Sequence, residues 1–292
     1  MPKHFSQANI LLLLIALIWG STFIIVKQSL GILHPMQVIA YRFTLAFILV
    51  FLAKYRTVLR HWRTSLFPGI GIGLLLFLGF TTQTFGLKFT SPSTSALITG
   101  SNAVLVALFE ALFKRKKLSR SSFFGVLTAT AGLILITWSG ASFTFGYGDL
   151  LTLACAIFFA LHINATGQAL TRSDPSTITV IQFAFVALAA WCSLIPVSGL
   201  KVNIPPTTWY ALLYLGIMAT GLAFLAQSYA QRDASPIHTA IMLATEPAFA
   251  TVLSISLGFE LMTMRLIIGG LLVITGIIFS SSGESFASSG EK

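Results

Sequence analysis

The chain has 292 residues, of which 55% are hydrophobic and 9% charged, with a net charge of +10 and a mean hydropathy of +0.88. Soluble domains carry roughly a quarter of their residues as Asp, Glu, Lys and Arg, so this composition excludes a water-facing surface of this size. The basic excess does not point to nucleic acid, because it sits in two short runs between apolar blocks: Lys54, Arg56, Arg60 and Arg63, then Lys114, Arg115, Lys116, Lys117 and Arg120.

From the N-terminus the apolar residues come in long blocks rather than amphipathic stripes. The first, Asn9 to Leu30, is long enough to cross ~30 Å of hydrocarbon at ~1.5 Å per residue. It is too long for a signal-peptide core, and no small-residue cleavage pattern follows it. Charged or Pro/Gly/Ser breaks then delimit ten expected spans: 9–30, 36–53, 66–87, 92–113, 119–138, 148–169, 175–198, 207–230, 236–258 and 264–282. The expected fold is therefore an all-α integral membrane protein of ten transmembrane helices with short connections. Residues 284–292, rich in Ser and Gly, read as a disordered tail. Cys155 and Cys192 lie inside apolar blocks without metal-like spacing and read as small core residues.

With both termini and the even-numbered turns on one side, thirteen basic residues collect there: Lys3, the two runs above, Arg172, Arg232 and Lys292. Only Lys88, Lys201 and Arg265 fall on the other side. This asymmetry places both termini in the cytoplasm. Lys27 and Arg42 lie within spans; both are expected to snorkel outward, with an acidic partner as the alternative for Arg42. Glu110 and Lys114, four apart, read as a solvated surface pair.

The chain also repeats itself. A shift of 144 aligns Phe80–Leu135 with Phe224–Phe279 without a gap, bringing Gln83 onto Gln227, Ser91-Pro92 onto Ser235-Pro236, Gly125 onto Gly269 and Gly132 onto Gly276. A shift of 140 brings Ala16 onto Ala156, Pro35 onto Pro175 and Phe43 onto Phe183. Each half holds five spans, and an odd number inverts the second copy relative to the first. Inverted repeats with a site near the midplane are a recurring design of secondary transporters.

Several stretches resemble one family. They are Trp19-Gly20-Ser21-Thr22-Phe23, Tyr41-Arg42-Phe43, Glu246-Pro247-Ala248-Phe249, Leu257-Gly258-Phe259-Glu260-Leu261 and Gly269-Gly270. Together they look like the drug/metabolite transporter superfamily, in its EamA-type branch with two EamA repeats. The resemblance implies one repeat over 1–140 and a second, inverted repeat over 141–283. It also implies a central cavity and export of a small organic solute across the bacterial inner membrane. The first half departs from the pattern at Lys114-Arg115-Lys116 and at Ala103, so the halves are not expected to be equivalent.

Glu246 is the most informative residue. It lies about 15 Å from either end of its span at ~1.5 Å per residue, where a carboxylate is costly and usually faces a polar cavity. There it would bind a proton, which could couple transport to protons, or pair with a cation, with a protonated or hydrogen-bonded structural role as the alternative. Pro247 beside it removes a helix hydrogen bond and is the expected hinge. Asn102 is its counterpart in the first half. Gln83 and Gln227 serve either as interhelical glue or as solute contacts. His162 and Asn164, two apart, face opposite sides of one helix, so at most one faces the cavity. Trp19, Tyr229 and Phe85 are candidate aromatic walls, with helix packing as the alternative. The glycine pairs Gly125/Gly132 and Gly269/Gly276 mark close helix contacts, within the bundle or in a homodimer. No catalytic motif, metal cluster or phosphate loop is present in the sequence, so neither a cofactor nor an intramembrane enzyme is expected. A facilitative channel or membrane scaffold is the competing reading.

Overall fold

Proline and its capping neighbour start the helices. Pro35, Pro92, Pro175 and Pro236 each occupy a first turn, where a missing N–H costs nothing. The side chains of His34, Ser91, Asp174 and Ser235 before them accept backbone N–H groups of that turn. The computed structural model describes residues 7–113, 120–137, 146–198, 200–259 and 261–287. Among these, every regular element is helical.

In chain order they are α1 (Gln7–Ser29), α2 (Pro35–Gly86), α3 (Pro92–Gly100), α4 (Asn102–Phe113), α5 (Arg120–Thr137), α6 (Tyr147–Ala169), α7 (Pro175–Leu194) and α8 (Pro206–Leu213). A π-helix, Tyr214–Leu222, follows, then α9 (Ala223–Asp233), α10 (Pro236–Leu243), α11 (Glu246–Ser256) and α12 (Met264–Ala287). Seven of the described helical stretches are long and apolar enough to cross a membrane, and α5 and α12 contain shorter apolar segments. The chain is thus a helical membrane protein.

Four expectations meet a different geometry. Spans 36–53 and 66–87 are one helical run of 52 residues, yet the run is not straight. Straight, it would be about 78 Å long at ~1.5 Å per residue. The rings of Phe43 and Phe80 nevertheless lie 4.9 Å apart, so the run doubles back between them, in the stretch that holds its basic residues and Pro68. Glycines let its second half lie close to α7 and α6: a Cβ at Gly73 would fall 3.0 Å from Phe185, and one at Gly79 2.5 Å from Phe159.

The spans at 92–113 and 236–258 are each broken in the middle, between α3 and α4 at Ser101 and between α10 and α11 at Ala244-Thr245. Ser101 and Thr245 are equivalent under the shift of 144. Residues 207–230 contain the π-helix, which periodicity cannot announce. Finally, α12 continues to Ala287, into the segment read as tail, while 288–292 lie outside the described residues.

Surface expectations also shift. Lys27 donates to the carbonyls of Leu87, Lys88 and Thr90 at 2.6–3.3 Å and so caps the end of α2. Glu110 is buried, and Lys114 lies outside the described residues. Of the two cysteines, Cys155 is buried and Cys192 is exposed on α7.

The glycine faces of α5 and α12 meet each other. A Cβ at Gly132 would fall 2.6 Å from the carbonyl oxygen of Gly269 and 2.8 Å from the nitrogen of Val273, both backbone atoms that cannot step aside. Gly132→Ala should therefore lower stability by about 1–3 kcal/mol despite alanine's better helix propensity. Gly71→Ala, whose Cβ would meet nothing within 4 Å, should leave it unchanged or raised. Thermal unfolding in detergent measures both.

Candidate functional site

One cavity lies among the helices. Its wall is formed by Trp19 and Thr22 of α1, Arg42, Phe80 and Gln83 of α2, Asn102 of α4, Phe159, His162 and Ile163 of α6, Phe224 and Gln227 of α9, Leu243 of α10 and Glu246 of α11. Ten of these thirteen residues are five pairs related by the repeat shifts of 140 and 144: Trp19 with Phe159, Thr22 with His162, Phe80 with Phe224, Gln83 with Gln227, and Asn102 with Glu246. The scaffold repeats, and the chemistry differs at three of the five pairs, while Phe80/Phe224 and Gln83/Gln227 keep the same residue. The free volume is about 40 Å³, room for a few waters at ~10–15 Å³ of centre volume each.

Helix breaks position the two central polar groups. Asn102 opens α4 and Glu246 opens α11, so neither sits in mid-helix as the continuous spans implied. An acidic side chain in a first turn complements the positive end of the helix dipole. Pro247 cannot donate to the carbonyl of Leu243, which is itself a cavity residue. The breaks touch across the halves: a Cβ at Gly100 would fall 2.4 Å from Cγ of Pro247. Gly20 of α1 admits the same segment, since a Cβ there would lie 2.7 Å from Cβ of Phe249 and 3.0 Å from the carbonyl oxygen of Glu246.

The aromatic wall is continuous. Trp19 lies 4.8 Å from Phe224, and Phe80 contacts both Phe159 and Phe224 at 5.4 and 6.0 Å between centroids. The Trp19 indole N–H donates to the carbonyl of Ala219 at 2.8 Å. His162 pairs with Gln182 at 2.9 Å and stands edge-on to Phe224. Gln83 reaches Thr99 only at 3.5 Å, and the side-chain oxygen of Gln227 is buried without a hydrogen-bond partner on the cavity wall.

Sequence reasoning missed Arg42. Rather than snorkelling outward, it is buried on the cavity wall. Its Nε donates to Thr220 and its Nη2 to the carbonyl of Ala219 at 3.4 Å, and its guanidinium stands 4.6 Å from the centroid of the Phe80 ring. The available signal was depth: a cation two turns into a span is expensive in lipid and usually faces the bundle interior.

Thus Trp19, Gln83, Asn102, His162, Gln227 and Glu246 share the cavity, and Asn164, Tyr229 and Phe85 lie outside its lining. Asn164 donates to the carbonyls of Ala160 and Val106, tying α6 to α4. Tyr229 bonds Ser176 at 2.8 Å, with Lys54 over its ring. Phe85 stands edge-on to His34.

The EamA-like transporter family model matches residues 6–138 and again residues 146–282. The chain belongs to the EamA-like transporter family. An uncharacterized transporter of Archaeoglobus fulgidus is 31% identical over 94% of this chain and 85% of its own length. The aromatic amino acid exporter YddG of Ancylobacter novellus is 24% identical, covering 93% and 96%. A probable amino-acid metabolite efflux pump of Salmonella typhimurium is 25% identical over 94% of each chain. A solved crystal structure at 22% identity superposes with a TM-score of 0.72 over 98% of this chain and all of that one, which shows the shared fold.

The division between wall and scaffold is measurable. Asn164→Ala should cost about 0.6 kcal/mol, the typical worth of an interhelical hydrogen bond in a membrane protein. It should leave solute affinity unchanged. Trp19→Ala should change solute affinity. Unfolding in detergent and equilibrium solute binding separate the two.

Proposed function

We propose that this EamA-family transporter exports small zwitterionic solutes, amino acids or close relatives with an apolar or aromatic side chain, by alternating access. One observation carries the reading: the guanidinium of Arg42 and the carboxyl of Glu246 share an aromatic-walled cavity, and Arg42 spends its hydrogen bonds on Thr220 and Ala219. A carboxylate of the solute matches the guanidinium. Its ammonium matches Glu246 and the unpartnered Gln227 oxygen. Its side chain matches the ring wall. The names of two relatives, an aromatic amino acid exporter and a probable amino-acid metabolite efflux pump, agree with that chemistry.

In the same reading the chain crosses the cytoplasmic membrane ten times, as two inverted five-helix repeats, α2 supplying two crossings. The tandem family matches and the pairing of cavity residues support this. Both termini and the basic middle of α2 face the cytoplasm. A cysteine replacing the exposed Arg60, in a background lacking Cys155 and Cys192, should be labelled in cells only by a membrane-permeable reagent. Labelling from outside would reverse the orientation.

Glu246 supplies coupling. An ionised carboxylate near the bilayer centre costs ~2.5–3.5 kcal/mol on the insertion scale, so it must be neutralised in each half-cycle. The solute ammonium does so on the way out and a proton on the way back, which drives export with proton entry.

In proteoliposomes, free phenylalanine should bind more tightly than phenylalanine amide, which lacks the carboxylate, and than N-acetylphenylalanine, which lacks the ammonium. Glu246→Gln should abolish uphill transport driven by a pH gradient and narrow the preference for the ammonium-bearing solute. Full gradient-driven transport by that variant, with unchanged preference, would show Glu246 to be structural.

A further inference from the structure

Helical runs of nine π residues are rare, and π turns concentrate at functional sites. Here the π-helix Tyr214–Leu222 lies against the cavity through its last turn. The Thr220 hydroxyl has one proton, which it donates to the carbonyl of Leu215, five residues back, at 2.7 Å. Its oxygen can then only accept, and it accepts the Nε–H of Arg42. The neighbouring Ala219 carbonyl takes Nη2 of Arg42 and the Trp19 indole. Gly216 and Gly221, five apart, turn a bare face to α2: a Cβ at Gly216 would fall 2.7 Å from Cβ of Leu45 and 3.1 Å from the carbonyl oxygen of Arg42. A Cβ at Gly221 would fall 3.1 Å from Leu49. The π-helix therefore brings a hydroxyl and a carbonyl onto one edge of the guanidinium.

Glu246 lines the same small cavity, and in surroundings of low dielectric an arginine and a glutamate attract strongly. Unrestrained, the guanidinium would turn onto the carboxylate and both charges would be spent on each other. We propose that Thr220 is the positioning residue for Arg42: by holding Nε it keeps the guanidinium off Glu246 and open to an anionic group of the solute. The inference rests on the zwitterion reading of the cavity. The symmetry-related pair has no such arrangement: the repeat shifts place Leu76 at the position of Thr220 and Gln182 at that of Arg42, and Gln182 bonds His162.

The experiment compares the affinities of phenylalanine and phenylalanine amide for the purified full chain in detergent, for wild type and for Thr220→Val, Thr220→Ser and Arg42→Gln. A hydrogen bond to a charged group is worth roughly tenfold or more in affinity. Thr220→Val should weaken phenylalanine by about that factor and leave the amide unchanged, collapsing the ratio as Arg42→Gln does. Thr220→Ser, which keeps the hydroxyl, should retain the wild-type ratio. Where Thr220→Val fails to fold, Thr220→Ala removes the same hydroxyl and is read the same way. Loss of the ratio in Arg42→Gln but not in Thr220→Val overturns the positioning role and leaves the cavity reading intact. Equal weakening of both solutes by Thr220→Val makes Thr220 merely structural and also overturns it. A ratio unchanged by Arg42→Gln removes the cavity reading itself.

Discussion

Hydrocarbon offers no hydrogen-bond partner, and the rest of this structure follows from that. A polar group within the spans has to be satisfied by protein or turned toward a shared cavity. Arg42 does both: it takes Thr220, Ala219 and the Phe80 face as partners and still reaches the cavity. Lys27, nearer a helix end, is met by three carbonyls where α2 finishes. His162 is met by Gln182. Glu246 and Gln227 lie on the cavity wall, and the Gln227 oxygen has no hydrogen-bond partner among the described residues.

The cavity is a repeated scaffold whose chemistry has partly diverged. Equivalent positions line it: Phe80/Phe224 and Gln83/Gln227 match, while the other pairs are Trp with Phe, Thr with His, and Asn with Glu. Duplication supplies a concave site where two similar surfaces meet. A symmetric site would suit a symmetric ligand. Divergence at Arg42/Gln182 and Asn102/Glu246 gives the cavity a guanidinium and a carboxyl that the repeat does not duplicate.

How much of this was legible follows the same physics. The hydrophobic blocks, the proline and serine helix starts and the repeat register were readable, because they depend on composition and on rare residues at fixed spacing. The family was readable from Trp19-Gly20 and from the stretch after Glu246. Six of the expected site residues share the cavity, largely because polar residues deep in apolar blocks are scarce. The helix breaks at Ser101 and at Ala244-Thr245 were only hinted at by Pro247, since Ser101 carries no breaker of its own. The π-helix was invisible, because it shows itself only in tertiary contacts: Gly216 and Gly221 lie close against α2, and Thr220 and Ala219 meet Arg42. Arg42 was misplaced because snorkelling and burial look alike in sequence until its partners on distant helices are known. Tyr229, Phe85 and Asn164 were named on symmetry or polarity alone; Tyr229 and Asn164 find partners on α7 and α4, and Phe85 meets His34 at the start of its own helix.

The tightest contacts also bear on how such a cavity could open. About 40 Å³ holds a few waters and no amino acid, so a transported solute requires the walls to separate. Packed interfaces switch between discrete arrangements rather than stretch. The two helix breaks are pressed together through Gly100 and Pro247, and α1 is pressed onto the same place through Gly20. Those contacts leave no room for even a methyl group, so the half-helices cannot shift independently at that depth. They move as one unit or the contact parts altogether. Trp19 and Arg42, both bonded to Ala219, tie α1 and α2 to the π-helix in the same layer. Movement of the broken helices is therefore transmitted to Trp19 and Arg42. The breaks and the cavity wall share residues, since Asn102 and Glu246 open α4 and α11 and line the cavity.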